Sequence, residues 1–150
     1  MADAAADAGF EPRVRASFAR QRVMETIGAA LTRVAPGEVE IVLPYRADLT
    51  QQHGFIHAGI VATILDSACG YAAFSLMPAD VAVLTVEYKI NLLRPAKGDR
   101  LVARARVVRS GKTLTVCAGD VVAQAGGAED VVATMLATVM AVPQRDGLKQ

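Results

Sequence analysis

The sequence predicts an α+β fold, with one antiparallel sheet of about five strands wrapped around a central apolar helix and an extra helix at the N-terminal side. Three observations carry this expectation. The stretch from Ala58 to Leu76 is apolar on nearly every side, so other structure must enclose it. The β-rich segments after it are separated by breaks far shorter than the dozen or so residues of a parallel crossover. One more strand pattern precedes it, and only a sheet made of these strands is available to bury the helix.

The elements follow in order. From Arg13 to about Thr32, Val14, Phe18, Met24, Ile27 and Leu31 recur at helical intervals with Arg15, Arg20, Arg22 and Glu25 between them, which predicts one amphipathic surface helix. Pro36-Gly37 breaks that pattern. Val39, Ile41 and Leu43 then alternate with Glu40 and Val42 up to Pro44, the period of a half-buried strand. A polar loop through Asp48 and Gln52 leads to the apolar helix, which Pro78 ends. Strands are expected at about Val81 to Leu93, Leu101 to Arg109, Leu114 to Ala123 and Val131 to Val142, joined as antiparallel hairpins. One domain spans residues 13–143, between a flexible tail at 1–12 and a second tail at 144–150.

Hydrophobic residues make up 53% of the chain, enough for a substantial core in a single domain. Lys and Arg number 16 against 15 Asp and Glu, so no chain-wide field exists to hold nucleic acid or an anionic membrane. Cys69 and Cys117 sit among apolar neighbours without metal-ligand spacing and are expected to be reduced core thiols. The acidic, alanine-rich start lacks the basic patch and apolar run of a secretory signal, which points to a cytoplasmic protein. Gly54 to Met77 is long enough to cross a bilayer, but Asp66 stands near its centre and its apolar residues are mostly small. A buried helix is the expectation.

Chemistry concentrates at two places on that helix. Gln51-Gln52-His53-Gly54-Phe55-Ile56-His57-Ala58-Gly59 leads into it, bringing backbone N–H groups to a helix N-terminus where they polarise a carbonyl or serve an ordinary entry turn. Asp66 is the only ionisable side chain between His57 and Asp80, and no basic residue stands three or four positions from it. An acid in such surroundings is structurally hydrogen-bonded or functional. Ala58 and Asp66 are eight residues apart, about 12 Å along a helix axis. One helix therefore cannot bring both to one carbonyl; a second copy running antiparallel in a two-fold homodimer does.

His53 and His57 stand four apart but lack the glutamate and third ligand of a zinc motif, so no metal is expected. No nucleophile turn of the G-x-S-x-G kind occurs. Arg109-Ser110-Gly111-Lys112-Thr113 forms a basic turn suited either to phosphate groups or to plain solvation, and Arg94 and Lys97 flank Pro95 in the preceding turn as additions to the same patch.

His57-Ala58-Gly59 followed by Asp66 resembles the helix entry of hotdog-fold thioesterases of the PaaI-like, phenylacetate-degradation type, which carry H-G-G and then Asp at that spacing. Thr85 to Asp99 resembles the family's second strand with its Arg-Pro-Ala turn, and Arg109 to Leu114 resembles its coenzyme A loop. The resemblance spans roughly Ala16 to Val142. It implies a hotdog fold and hydrolysis of an acyl-CoA thioester without a cofactor, in a homodimer or a dimer of dimers. It assigns Asp66 as nucleophile or general base, the Ala58 amide with Gly59 as oxyanion site, and His57, Gln51 and Thr85 as helpers. Arg94 and Arg109, Ser110, Gly111, Lys112 and Thr113 would bind coenzyme A. Ala58 stands where the family usually has glycine, and alanine serves there if its dihedrals are ordinary.

Two other classes share these features: a hotdog acyl-CoA hydratase or dehydratase using His57 as base, and a non-catalytic acyl-CoA-binding module. For the acyl pocket, Met24, Phe55, Leu65 and Met77 are the expected lining, suiting an aryl or a medium aliphatic group.

Overall fold

The computed structural model describes residues 7–150. Its elements are α1 (Phe10–Ala19), α2 (Arg22–Ile27), β1 (Ala30–Ala35), β2 (Glu38–Pro44), a 3-10 turn at Ala47–Leu49, α3 (Ala58–Phe74), β3 (Val81–Leu92), β4 (Arg100–Arg109), β5 (Leu114–Ala125) and β6 (Ala128–Pro143). The strands form one sheet in the order β1-β2-β4-β5-β6-β3, antiparallel throughout. The sheet wraps α3, whose Ile64, Leu65, Ala68, Ala72 and Phe74 are fully buried. This is the hotdog arrangement.

Two expectations are corrected. The single helix from Arg13 to Thr32 is two short helices and a strand. Gln21 takes an extended conformation between α1 and α2, and Gly28 ends α2 in the left-handed region at φ 79°, a conformation glycine adopts without steric cost. Leu31 consequently lies in β1, a sixth strand paired with β2 across the Pro36-Gly37 turn. The second correction concerns β3, which forms no hairpin with β4. It runs along the far edge of the sheet beside β6, and residues 93–99 carry the chain back across the strand ends. Gly98 is needed on that path, since a Cβ there would sit 2.7 Å from the Gln124 carbonyl oxygen.

α1 closes the C-terminal end of α3. The Arg13 guanidinium donates to the Met77 carbonyl at 2.9 Å and lies 4.5 Å over the Phe74 ring, placing a cation where the helix dipole is negative. Both cysteines are free and buried, and burial pushes the Cys117 thiol up to about 12. Among the described residues no helix is long and apolar enough to cross a membrane.

Candidate active site

The entry to α3 is built by a tight loop. Gln51 N–H donates to the Phe55 carbonyl at 2.9 Å, and Gly54 turns the chain at φ 83°. Ile56 N–H reaches the Ala96 carbonyl and His57 N–H the Leu49 carbonyl, at 2.9 and 3.0 Å, which pins the loop to its neighbours. His57 is the N-cap: its Nδ1 accepts from Gly59 N–H at 2.8 Å. Gly59 suits this cap because a Cβ there would come within 3.1 Å of His57 Nδ1.

With that donor taken, the Ala58 N–H is left at the exposed first turn, and among the described residues nothing accepts its hydrogen bond. Among the described residues none other than glycine has a positive φ, so Ala58 meets the condition of ordinary dihedrals. The loop and the end of β3 enclose a groove of about 440 Å³ lined by Gln51, Phe55, Ala58, Leu93, Arg94 and Pro95. The Gln51 carbonyl Oε1 accepts from His53 N–H, directing its amide end elsewhere.

Asp66 lies in a different cleft. Its Oδ1 accepts from Thr85 Oγ1 at 2.8 Å, joining α3 to β3. Burial raises the carboxyl pKa above its ordinary value, and the Thr85 hydrogen bond partly opposes that rise. The β-bulge immediately after Thr85 matters here: Thr85 pairs with Val139 and Tyr88 with Ala137, so both lie on the same face of the sheet although three positions separate them. The cleft holds about 80 Å³ and is lined by Asp66, Ser67 and Tyr71 of α3, Thr85 of β3, and Gln21 and Gln150.

Within one chain the Ala58 N–H and the Asp66 carboxyl thus open into separate clefts. The expected cations divide between them. Leu114 pairs with Met140 and Met140 with Leu84, which sets the Arg109–Thr113 turn at the Thr85 end of the sheet. Arg94 donates to the Val131 carbonyl at 2.9 Å, at the other end of β6, about 30 Å away at strand rise. A single patch of Arg94 and Lys97 with the basic turn is therefore not formed within one chain. Arg109, Ser110, Gly111, Lys112 and Thr113 are all exposed, and among the described residues no carboxylate pairs with Arg109 or Lys112.

The acyl-pocket expectation needs a correction too. Met24, Leu65 and Met77 are buried in the core, and only Phe55 borders an opening. Sequence reasoning missed Gln21, Ser67, Tyr71 and Gln150. Ser67 and Tyr71 were reachable, being one and five positions from Asp66 on one helix, whereas Gln21 and Gln150 arrive from distant segments with no local signal. Among the described residues no cluster of three or more metal-ligating side chains occurs.

Comparison with known proteins agrees with this fold. Residues 53–129 match the family described as the thioesterase superfamily. A candidate esterase of Halobacterium salinarum is 38% identical over 71% of this chain and 74% of its own length. Human acyl-coenzyme A thioesterase 13 is 31% identical over 71% and 75%. A thioesterase family protein of Silicibacter pomeroyi superposes with a TM-score of 0.89 at 57% identity, covering 91% of this chain and all of that one. The PaaI protein of E. coli, at 22% identity and a TM-score of 0.82 over 92% and 96%, shares the fold. An antiparallel sheet around one helix, an acid on that helix and these relatives together establish that the chain belongs to the thioesterase superfamily and is a thioester hydrolase of hotdog fold.

Proposed function

We propose that the protein hydrolyses acyl-CoA thioesters at two equivalent sites, each assembled across a two-fold homodimer. The observation that carries this reading is the division of the machinery: the Ala58 N–H and the Asp66 carboxylate open into separate clefts of one chain. A head-to-tail arrangement of two α3 helices unites each with its complement on the partner subunit. It also brings the Arg94 end of one subunit toward the Arg109–Thr113 end of the other, giving one cationic track for the phosphates of coenzyme A.

Two surface features suit such a pairing. The stripe Gly59, Ala62, Thr63, Asp66 and Gly70 is the face of α3 left only partly covered, and its small side chains permit close approach. β3 is an edge strand with Leu84, Val86, Tyr88 and Leu92 exposed, an apolar edge that calls for a covering strand. In the bound state the thioester carbonyl oxygen takes a hydrogen bond from Ala58 N–H as negative charge develops on it. Either Asp66 takes a proton from a water that attacks the carbonyl carbon, the C–S bond breaks and that proton passes to the departing thiolate, or Asp66 itself attacks, expelling the thiolate, which is protonated from solvent, and water then hydrolyses the mixed anhydride to the free acid.

The test is release of coenzyme A from a panel of aryl, short and medium acyl-CoAs, followed with a thiol reagent. Asp66→Asn should lower the rate by at least about 100-fold. Undiminished hydrolysis in that variant removes Asp66 from the mechanism. Hydration of an enoyl-CoA without thiol release would replace the reading with a hydratase, and saturable binding without turnover with a carrier.

A further inference from the structure

The segment after β6 does more than trail from the sheet. Gln144 ties its start to the base of β3, its Nε2 donating to the Ala79 and Val81 carbonyls at 3.1 Å each. Arg145 and Leu148 exchange backbone hydrogen bonds around Gly147, at φ 79°, so the chain reverses at once. The reversal returns Gln150 to the open edge of β3. There its Oε1 accepts from Val83 N–H at 2.8 Å and its Nε2 donates to Ser17 Oγ at 2.9 Å. Ser17 Oγ in turn lies 3.1 Å from the Tyr71 hydroxyl. One side chain thereby joins α1, α3 and β3 through both ends of its amide.

That side chain also lines the cleft holding Asp66, together with Gln21, whose Oε1 accepts from Ser67 Oγ at 3.1 Å. The two amides are held in place by hydrogen bonds rather than by packing alone, so the wall has a fixed position. The cleft they line holds about 80 Å³ and is partly open to solvent. Lengthening an aliphatic acyl group would push apolar carbons against two amides whose hydrogen bonds it would have to break, at a cost in each case comparable with a methylene's gain.

We infer that Gln150, seated by Ser17 and Val83 and backed by Gln21, is a specificity-determining residue that sets the upper length of the acyl group. The inference rests on the thioesterase reading above, because it takes the cleft beside Asp66 as the acyl end of that site.

The experiment compares wild type, Gln150→Ala and Ser17→Ala on acetyl-, butanoyl-, hexanoyl- and octanoyl-CoA, with binding of the matching non-hydrolysable alkyl thioethers of coenzyme A measured by calorimetry. Wild type should favour butanoyl over octanoyl in both readouts. Gln150→Ala should raise the octanoyl-to-butanoyl ratio of kcat/KM by about 10-fold. Ser17→Ala, which unseats Gln150 without lining the cleft, should move the ratio the same way. An unchanged ratio in folded variants, or a wild type that already prefers octanoyl, overturns the inference. Absence of turnover alongside a length preference in thioether binding that Gln150→Ala removes would sink the hydrolytic reading and leave the wall standing.

Discussion

Thr85 donates its hydroxyl proton to Asp66 Oδ1 across 2.8 Å, linking an exposed strand residue to the one acid on α3. The bond favours the ionised carboxyl, whereas burial favours the protonated one, and burial is the larger effect. A reaction needing the carboxylate therefore gains rate as pH rises through a value above that of an ordinary aspartate. Thr85→Val removes the opposing bond. It should move the acidic limb of kcat/KM to still higher pH and lower the plateau by about 10-fold, the scale of one charge-assisted hydrogen bond. Thr85→Ser should restore both. A pH–rate profile that Thr85→Val leaves in place would show that this hydroxyl does not tune the acid.

The proposed sharing of each site between two subunits has a complementation test. Ala58 is the first residue of α3, a position where proline is compatible with the helix and lacks only the N–H. Ala58→Pro and Asp66→Asn should each be inactive alone. Mixed and re-annealed in equal amounts, they should recover about a quarter of wild-type activity, since half the dimers would be mixed and each would hold one intact site. A site contained in one chain would recover none.

Much of this arrangement was legible in the residues. The enclosed character of α3 marked it as the centre of a sheet, and helix rise alone separated Ala58 from Asp66. The strands β2, β4, β5 and β6 showed themselves by alternation and turn residues. What stayed hidden depends on long-range contact. Leu31 fits the helical spacing of Val14, Met24 and Ile27, and only the left-handed Gly28 and pairing with β2 make it a strand residue. β3 reads as a hairpin partner of β4 because the break between them is short, yet β5 and β6 intervene in the sheet. The bulge after Thr85 resets which side chains face α3, a change that period-two reading does not contain. Gln150 reaches Ser17 from 133 positions away, so no local pattern announces it.

The raised carboxyl of Asp66 also has a stability consequence. Between the ordinary aspartate value, about 3.9, and the higher folded-state value, the native protein binds more protons than the unfolded chain. Stability from this group is therefore fullest below that window, falls as pH rises through it, and is level above. Asp66→Asn lacks the penalty and retains an acceptor for Thr85. Its melting temperature relative to wild type should climb from about pH 4 upward and stay higher at neutral pH. The Arg104–Glu129 pair, which holds Glu129 at about 2, acts in both proteins and cancels in the difference. A difference independent of pH would contradict a burial-raised Asp66.

Two substitutions on the inner face of β5 should move stability in opposite directions. Gly119 lies beneath α3, where a Cβ would stand 2.8 Å from Leu65 Cδ1 and 2.9 Å from the Arg104 carbonyl oxygen. Since the second of these is backbone, the strand or the helix must shift. Gly119→Ala should cost about 1–3 kcal/mol by overpacking. Because Leu65 adjoins Asp66, the same shift should lower activity in the folded fraction. Thr115, four positions earlier on the same strand, is fully buried, and among the described residues its hydroxyl has no hydrogen-bond partner. Thr115→Val keeps the shape and removes the orphaned group, and should stabilise by about 1 kcal/mol. Urea unfolding of the two variants reads both effects, and destabilisation by Thr115→Val would mean that a bound water serves that hydroxyl.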